Sequence, residues 1–193
     1  MENFLRSTGV IDWKHPDVFS CAQGLADGLA DPVGIARNCF EWVRDVIKHS
    51  QDYRLSIVTC SASEVLRVGS GYCYGKSHLL AALLRANGLP AALCYQRLSR
   101  DDDGAPFCLH GLNAVFLPAF GWYRLDPRGN RDGVNAQFTP PVEQLAFSIR
   151  FPGEGDLPEI WPDPLPVVME TLRRHSTTDA LWNNLPDIEL WKR

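Results

Sequence analysis

Long apolar runs are missing from this chain. No stretch approaches the roughly 18 to 20 consecutive apolar residues that cross a bilayer, and the first twenty residues, MENFLRSTGVIDWKHPDVFS, alternate charged and apolar side chains instead of building the apolar segment of a secretory signal. No membrane partner is expected, and a cytoplasmic location is. An excess of basic charge is missing as well. With 19 Lys and Arg against 23 Asp and Glu, a net charge of -4 and a pI near 5.7, the chain has no basic footprint, and nucleic acid is not an expected partner. The six cysteines, at 21, 39, 60, 73, 94 and 108, lack CxxC spacing and mostly sit in apolar runs. They read as free thiols, most of them small core residues. Internal repeats and low-complexity tracts are absent, and no cofactor is expected.

What is present fits an ordinary globule: 193 residues, 45% hydrophobic and 22% charged, enough to bury a core without disulfide or metal staples. One domain over 1–193 is expected, with a core at about 31–130 and a C-terminal extension at 131–193. Residues 1–20 read as an irregular or strand-like lead-in with a turn at His15-Pro16-Asp17, followed by a short helix over Val18 to Leu29. Asp31-Pro32 opens a helix, Asp as N-cap and Pro at the first helical position, that runs to about His49 with Cys39, Trp42, Val43 and Val46 on its apolar face. Ser61 and Glu64 form a capping-box pattern for a short helix through Val68.

The period then changes from helical to alternating. Ala91–Leu98, Phe107–Leu117 and Trp122–Leu125 read as strands joined by a polar loop at 99–104 and a turn at Pro118–Gly121. The three aspartates at 101–103 read as a solvated loop tip; a calcium site lacks the other oxygen ligands and the loop pattern. Residues from Arg128 are loop-like; PVEQLAFSIRF suits a short strand or helix, and the Pro- and Gly-dense FPGEGDLPEIWPDPLP suits a crossing or a lid around Trp161. Helices are expected at Pro166–Arg174 and Asp179–Asn184.

One stretch carries distinctive chemistry. Cys73 opens an amphipathic run in which Leu79, Leu80, Leu83 and Leu84 recur at helical spacing and which Asn87-Gly88 ends. A cysteine there meets unpaired backbone N–H groups and the positive end of the helix dipole, which lower a thiol pKa from about 8.5 toward neutrality. A nucleophilic thiolate needs a base, and the base needs an orienting group. His110 lies in an otherwise apolar row with Cys108, Leu112, Ala114 and Phe116. Asp126 ends the next strand, and a hairpin centred on Pro118 sets it directly opposite His110; a centre one or two residues later offsets the pair and weakens the contact. A hydrogen-bonded core histidine and a turn aspartate are the plain alternatives for each residue alone.

Three blocks, SASEVLRVGSGYC73YGKSHLLAALLRANGLPA, H110GLNAVFL and WYRLD126P, with EWVRDVIKHS upstream, resemble the transglutaminase-like superfamily in its usual order. The resemblance implies an α+β fold with a papain-like, transglutaminase-like core, a cysteine-bearing helix packed on an antiparallel sheet. It implies Cys73 as nucleophile, His110 as general base and acid, and Asp126 as the orienting residue of a cysteine hydrolase acting on a peptide or amide substrate through a thioester. Acyl transfer to an amine, or a peptide-binding module that turns nothing over, stay open beside it. An oxyanion hole needs a donor besides the Cys73 N–H; His49, Gln51 and Tyr53 are candidates. Tyr72 and Trp122 are further cleft residues, Trp122 covering the histidine or simply packing. His78 faces away from the site by spacing, as a packing or surface residue. A metal site built from Cys94, Cys108 and His110 lacks a convincing fourth ligand, so no metal is expected.

Overall fold

A computed structural model describes residues 1–190. Its core is built around one helix. α1 (Pro16–Ala26) and α2 (Pro32–Val46) start at Pro16 and Pro32, each with Pro at the first helical positions, and Asp31 Oδ1 caps α2 by accepting from the Gly34 N–H at 2.8 Å. The His15-Pro16 segment, expected as a turn, is the N-cap of α1. A two-residue strand β1 (Lys48–His49) follows α2. The capping box at Ser61 and Glu64 forms and opens α3 (Ala62–Val68). β2 (Ser70–Gly71) leads into α4 (Cys73–Ala86).

Expected as amphipathic, α4 is buried on every side from Cys73 to Arg85. α1, α2 and α3 cover it on one side and the sheet on the other, so the leucine stripe is only part of a face that goes all the way round. His78 is thus buried: its Nδ1 is 2.7 Å from the Cys60 carbonyl oxygen, and burial lowers its pKa to about 4, so it is neutral.

The sheet runs in the order β5-β4-β3-β6, antiparallel throughout, from β3 (Ala91–Ser99), β4 (Phe107–Leu117), β5 (Gly121–Leu125) and β6 (Gly155–Asp156). Strand alternation turns Leu109, Gly111 and Asn113 toward α4. The Asn113 amide donates to the Ser77 carbonyl at 3.0 Å, and the Tyr74 hydroxyl donates to the Leu109 carbonyl. Gly111 admits this approach, because a Cβ at that position would lie 2.9 Å from the Tyr74 ring. The opposite row, Cys94, Leu112 and Ala114, packs under Phe4, Trp122, Leu145 and Ile160.

The C-terminal third departs most from expectation. PVEQLAFSIRF forms neither strand nor helix, apart from the isolated bridge between Gln144 and Gln137. The Pro- and Gly-dense run is an ordered crossing along the edge of the sheet. β6 pairs with Gln96 and Arg97, and Trp161 bridges Leu93 in both hydrogen-bonding directions. The outer edge of β3 carries free N–H and C=O groups that need partners, and the prolines divide that partner into two short contacts. α5 (Pro166–Arg174) stands where expected and α6 (Thr178–Trp182) begins one residue before. Phe138, Ala146 and Leu181 from this extension join the same core as α4.

Candidate active site

Cys73 is the first residue of α4, with Tyr72 as an N-cap whose side chain makes no capping hydrogen bond. Its own N–H is one of the four that the first helical turn leaves unpaired. The approach to it is fixed by parallel pairing of β1 with β2, His49 against Gly71, reinforced by Ser50 N–H donating to the Gly71 carbonyl at 3.1 Å. His49 thereby packs against the Tyr72 ring, tilted by 45° with centroids 4.9 Å apart.

His110 Nε2 lies 2.7 Å from Asp126 Oδ2, and neither side chain is more than slightly exposed. The hairpin is centred on Ala119 instead of Pro118: Leu117 faces Gly121 and Asn113 faces Leu125, which sets His110 two residues out of register with Asp126. The contact survives the offset because a two-residue step preserves the face, and because Asp126 has left the strand and entered a turn in which its Oδ1 accepts from the Arg128 N–H at 3.1 Å. A third donor, the Ala146 N–H, reaches Oδ2 at 3.1 Å. The buried carboxylate is held ionised: burial opposes its charge, but His110 and the two backbone N–H groups outweigh burial and lower its pKa. For His110 burial likewise disfavours the charged ring, yet the Asp126 carboxylate, with the nearby Cys73 thiol, raises its pKa to about 10. With Nε2 committed to Asp126, Nδ1 is the nitrogen left for the thiol.

Cys73, His110, His49, Gln51 and Tyr72 line one cavity of about 550 Å³. His49 is buried, and burial lowers its pKa well below that of a free imidazole, with Arg128 and Lys76 adding to the effect. The two histidines flanking Cys73 are therefore shifted in opposite directions, one toward the charged form and one toward the neutral form. His49 Nδ1 and Gln51 Oε1 are buried and have no hydrogen-bond partner among the described residues. Tyr53 does not belong to the site: it is 59% exposed and does not line the cavity. Nor does Trp122, which packs edge-on against Phe4 and Phe116 beyond the Leu112 and Ala114 row. The ring that covers His110 is Phe147, perpendicular to it at 5.0 Å.

Trp182 and Leu185 from the C-terminal segment, with Leu98 and Cys108, add apolar wall. Leu109 N–H donates to the Pro186 carbonyl and Arg97 makes a bidentate pair with Asp187, fixing this segment against the sheet. These wall residues were not legible, since no local pattern brings residues 147 or 182 back to residue 110. The Asp126-Pro127-Arg128 turn was legible in principle, because Asp before Pro favours a side-chain bond to the N–H two residues on. The aspartates at 101 and 102 pair with Arg100 and Arg150. Among the described residues no three His, Cys, Asp or Glu side chains are grouped to hold a metal ion, and all six cysteines are free.

The model of the transglutaminase-like superfamily matches residues 20–127. No curated protein sequence matches the chain. A cysteine-protease candidate from Cytophaga hutchinsonii superposes on 65% of this chain and 40% of its own, with 16% identity and a TM-score of 0.53, a likeness of fold. The periplasmic domain of TgpA from Pseudomonas aeruginosa gives 19% identity over 65% of this chain and 45% of that one, with a TM-score of 0.47. The chain thus spans less than half the length of either structure. Among the described residues no helix is long and apolar enough to cross a membrane.

Proposed function

The chain belongs to the transglutaminase-like superfamily, and on that premise we propose that it is a cysteine hydrolase, a peptidase or amidase that works through a thioester on Cys73. The observation that carries the reading is the arrangement at the start of α4: a thiol at a helix N-terminus that lines one cavity with a histidine whose Nε2 lies 2.7 Å from a fully buried aspartate. In the reaction the Cys73 thiolate attacks an amide carbonyl carbon, the C–S bond forms, and the carbonyl electron pair moves onto oxygen. The Cys73 backbone N–H and a second donor hold that oxyanion.

His49 fits the second role better than Gln51. It is neutral, so its N–H donates without a competing charge, and its ring is held by packing against Tyr72. With Nδ1 buried, Nε2 is the nitrogen that would donate. As the intermediate collapses, His110 gives its Nδ1 proton to the leaving amine and the C–N bond breaks. Water, deprotonated by the same nitrogen, attacks the thioester and releases the acid and the thiol. Asp126 keeps Nε2 protonated throughout. Hydrolysis is favoured over transfer because the cavity opens to water at a rim of exposed charged residues such as Asp102, Arg131, Asp132 and Arg150.

The test is a defined library of peptides and small amides, with cleavage and any acyl adduct on Cys73 followed by mass spectrometry. Cleavage in the wild type, absent in Cys73→Ala, is the expected outcome. Added glycinamide measures how far an amine competes with water for the thioester. If no amide is cleaved and no acyl mass appears on Cys73, the fold serves binding instead.

A further inference from the structure

One charged side chain in the core has no part in the mechanism above. Lys76, one turn into α4 from Cys73, has no exposed surface. A charged group buried this deeply persists only where partners compensate its lost hydration, and here the partners are backbone carbonyls at one helix end. Nζ donates to the carbonyl of Ile47, the C-cap of α2, and lies 3.3 Å from that of Arg44 in its last turn. These are acceptors that a helix C-terminus leaves unpaired and that favour a cation. The turn after Asp126 closes over the same point: a Cβ added to Gly129, at φ +110, would stand 3.3 Å from the Arg44 carbonyl oxygen and 3.5 Å from Nζ.

This knot bears on the site because Ile47 leads directly into Lys48 and His49 of β1, then Ser50 and Gln51. The tie between this segment and the Cys73 lead-in is short: two strand residues on each side, flanked by Lys48 N–H to the Gly69 carbonyl and Ser50 N–H to the Gly71 carbonyl. So short a pairing is marginal by itself. The ammonium supplies a second anchor at its upstream end, from the same helix that carries the thiol.

We propose that Lys76 is a positioning residue for the reaction: by binding the C-terminal carbonyls of α2 to the helix that carries Cys73, it holds the His49 segment beside the thiol. The proposal rests on the hydrolase reading for its effect on turnover, but the positioning itself is measurable without substrate. Lys76→Met removes the ammonium while keeping an unbranched apolar side chain. Hydrogen exchange at the Lys48 and Ser50 amides should accelerate at least tenfold beyond any change at mid-α4 amides such as Leu80, which report global opening.

Burial lowers the Lys76 pKa to about 7, so His49 titration, the second readout, is followed by NMR below that pH, where the Lys76 ammonium is mostly protonated. His49 is faced by Asp52 at 3.7 Å, by Arg128, Arg131, His110 and Lys76, and by the Tyr72 ring. Losing the Lys76 charge and the tight seat raises its pKa toward the free value, whereas the His110 ring signals, protonated throughout this range, stay in place. Among cleaved substrates, kcat falls about 10- to 100-fold with KM within threefold, the signature of a lost transition-state interaction. Local exchange and His49 titration unchanged from wild type overturn the proposal, whatever the turnover. Loosened His49 in a protein that cleaves nothing upholds the positioning and removes the hydrolase reading. If Lys76→Met does not fold, the same two readouts on Lys76→Gln, which keeps a shorter donor, decide in the same way, with an intermediate shift expected.

Discussion

Replacing Asp126 by alanine is expected to lower kcat/KM by about 10³- to 10⁴-fold, the scale on which orienting carboxylates of catalytic triads act. The loss has two parts. Without the carboxylate nothing fixes the Nε2–H tautomer, so His110 presents its acceptor nitrogen to the thiol only part of the time. The imidazolium formed when the thiol ionises also loses its counter-charge. Asp126→Asn should fall between wild type and alanine, because an amide oxygen still accepts from His110 Nε2 but turns its NH₂ toward the Arg128 N–H that now bonds Oδ1.

Stability moves with it, since removing one partner of a buried ion pair costs about 3 to 5 kcal/mol. Its pH dependence has a definite sign. His110 has a folded pKa of about 10, above the unfolded value near 6.5, so its contribution is complete below pH 6.5 and fades as the pH rises toward 10. The gap in Tm between wild type and Asp126→Ala should therefore narrow from pH 6 to pH 10. A gap that widens over this range contradicts the assignment.

His49→Ala is expected to lower kcat by about 10²- to 10³-fold with little change in KM, as for removal of one preorganised oxyanion donor. His49→Gln, with an amide N–H of similar reach, should recover part of the loss. Gln51→Ala serves as the comparison: its side chain lines the same cavity, but neither ring packing nor strand pairing holds it. A kcat loss larger for Gln51→Ala than for His49→Ala would move the second donor to Gln51. The rate at which Cys73 is alkylated should be nearly the same in both variants, because alkylation needs the thiolate and not the oxyanion hole.

How far the sequence revealed this arrangement can be argued residue by residue. Cys73 was legible because a helix start is written locally: the Asn87-Gly88 stop, the preceding capping box and the leucine spacing all lie within thirty residues. The strand hairpins were legible for the same reason, since period-two alternation and turn residues are local signals. His110 and Asp126 could be paired because one hairpin joins them. The predicted register was still two residues off, as the turn's centre depends on how Gly121 enters β5 and not on which residues must meet.

Phe147, the Ala146 N–H and the Trp182 and Leu185 wall were illegible. They reach the site along irregular segments whose course is set by tertiary contacts such as Arg97 with Asp187. Lys76 was visible as a cation in an apolar helix but unreadable. Its partners are the backbone carbonyls of Arg44 and Ile47, and any residue types there would have served. Tyr53 follows His49 and Gln51 in the loop before the cysteine but is exposed, and of the two roles open to Trp122 it takes packing, against Phe4 and Phe116, and leaves the cover of His110 to Phe147.

The most direct test of the Cys73–His110 pair is the rate of Cys73 alkylation by iodoacetamide against pH, in wild type and in His110→Ala, with the labelled cysteine located by peptide mass mapping. Burial pushes the other thiols up, Cys60 to about 11 and Cys39, Cys94 and Cys108 to about 12, so they are slow internal standards. The expected result is selective labelling of Cys73 well below pH 8.5 in wild type, and a rate that drops and shifts to higher pH in His110→Ala. Labelling of Cys73 no faster than that of Cys60 or Cys108, or a profile that His110→Ala leaves unchanged, contradicts the thiolate–imidazolium pair and with it the hydrolase.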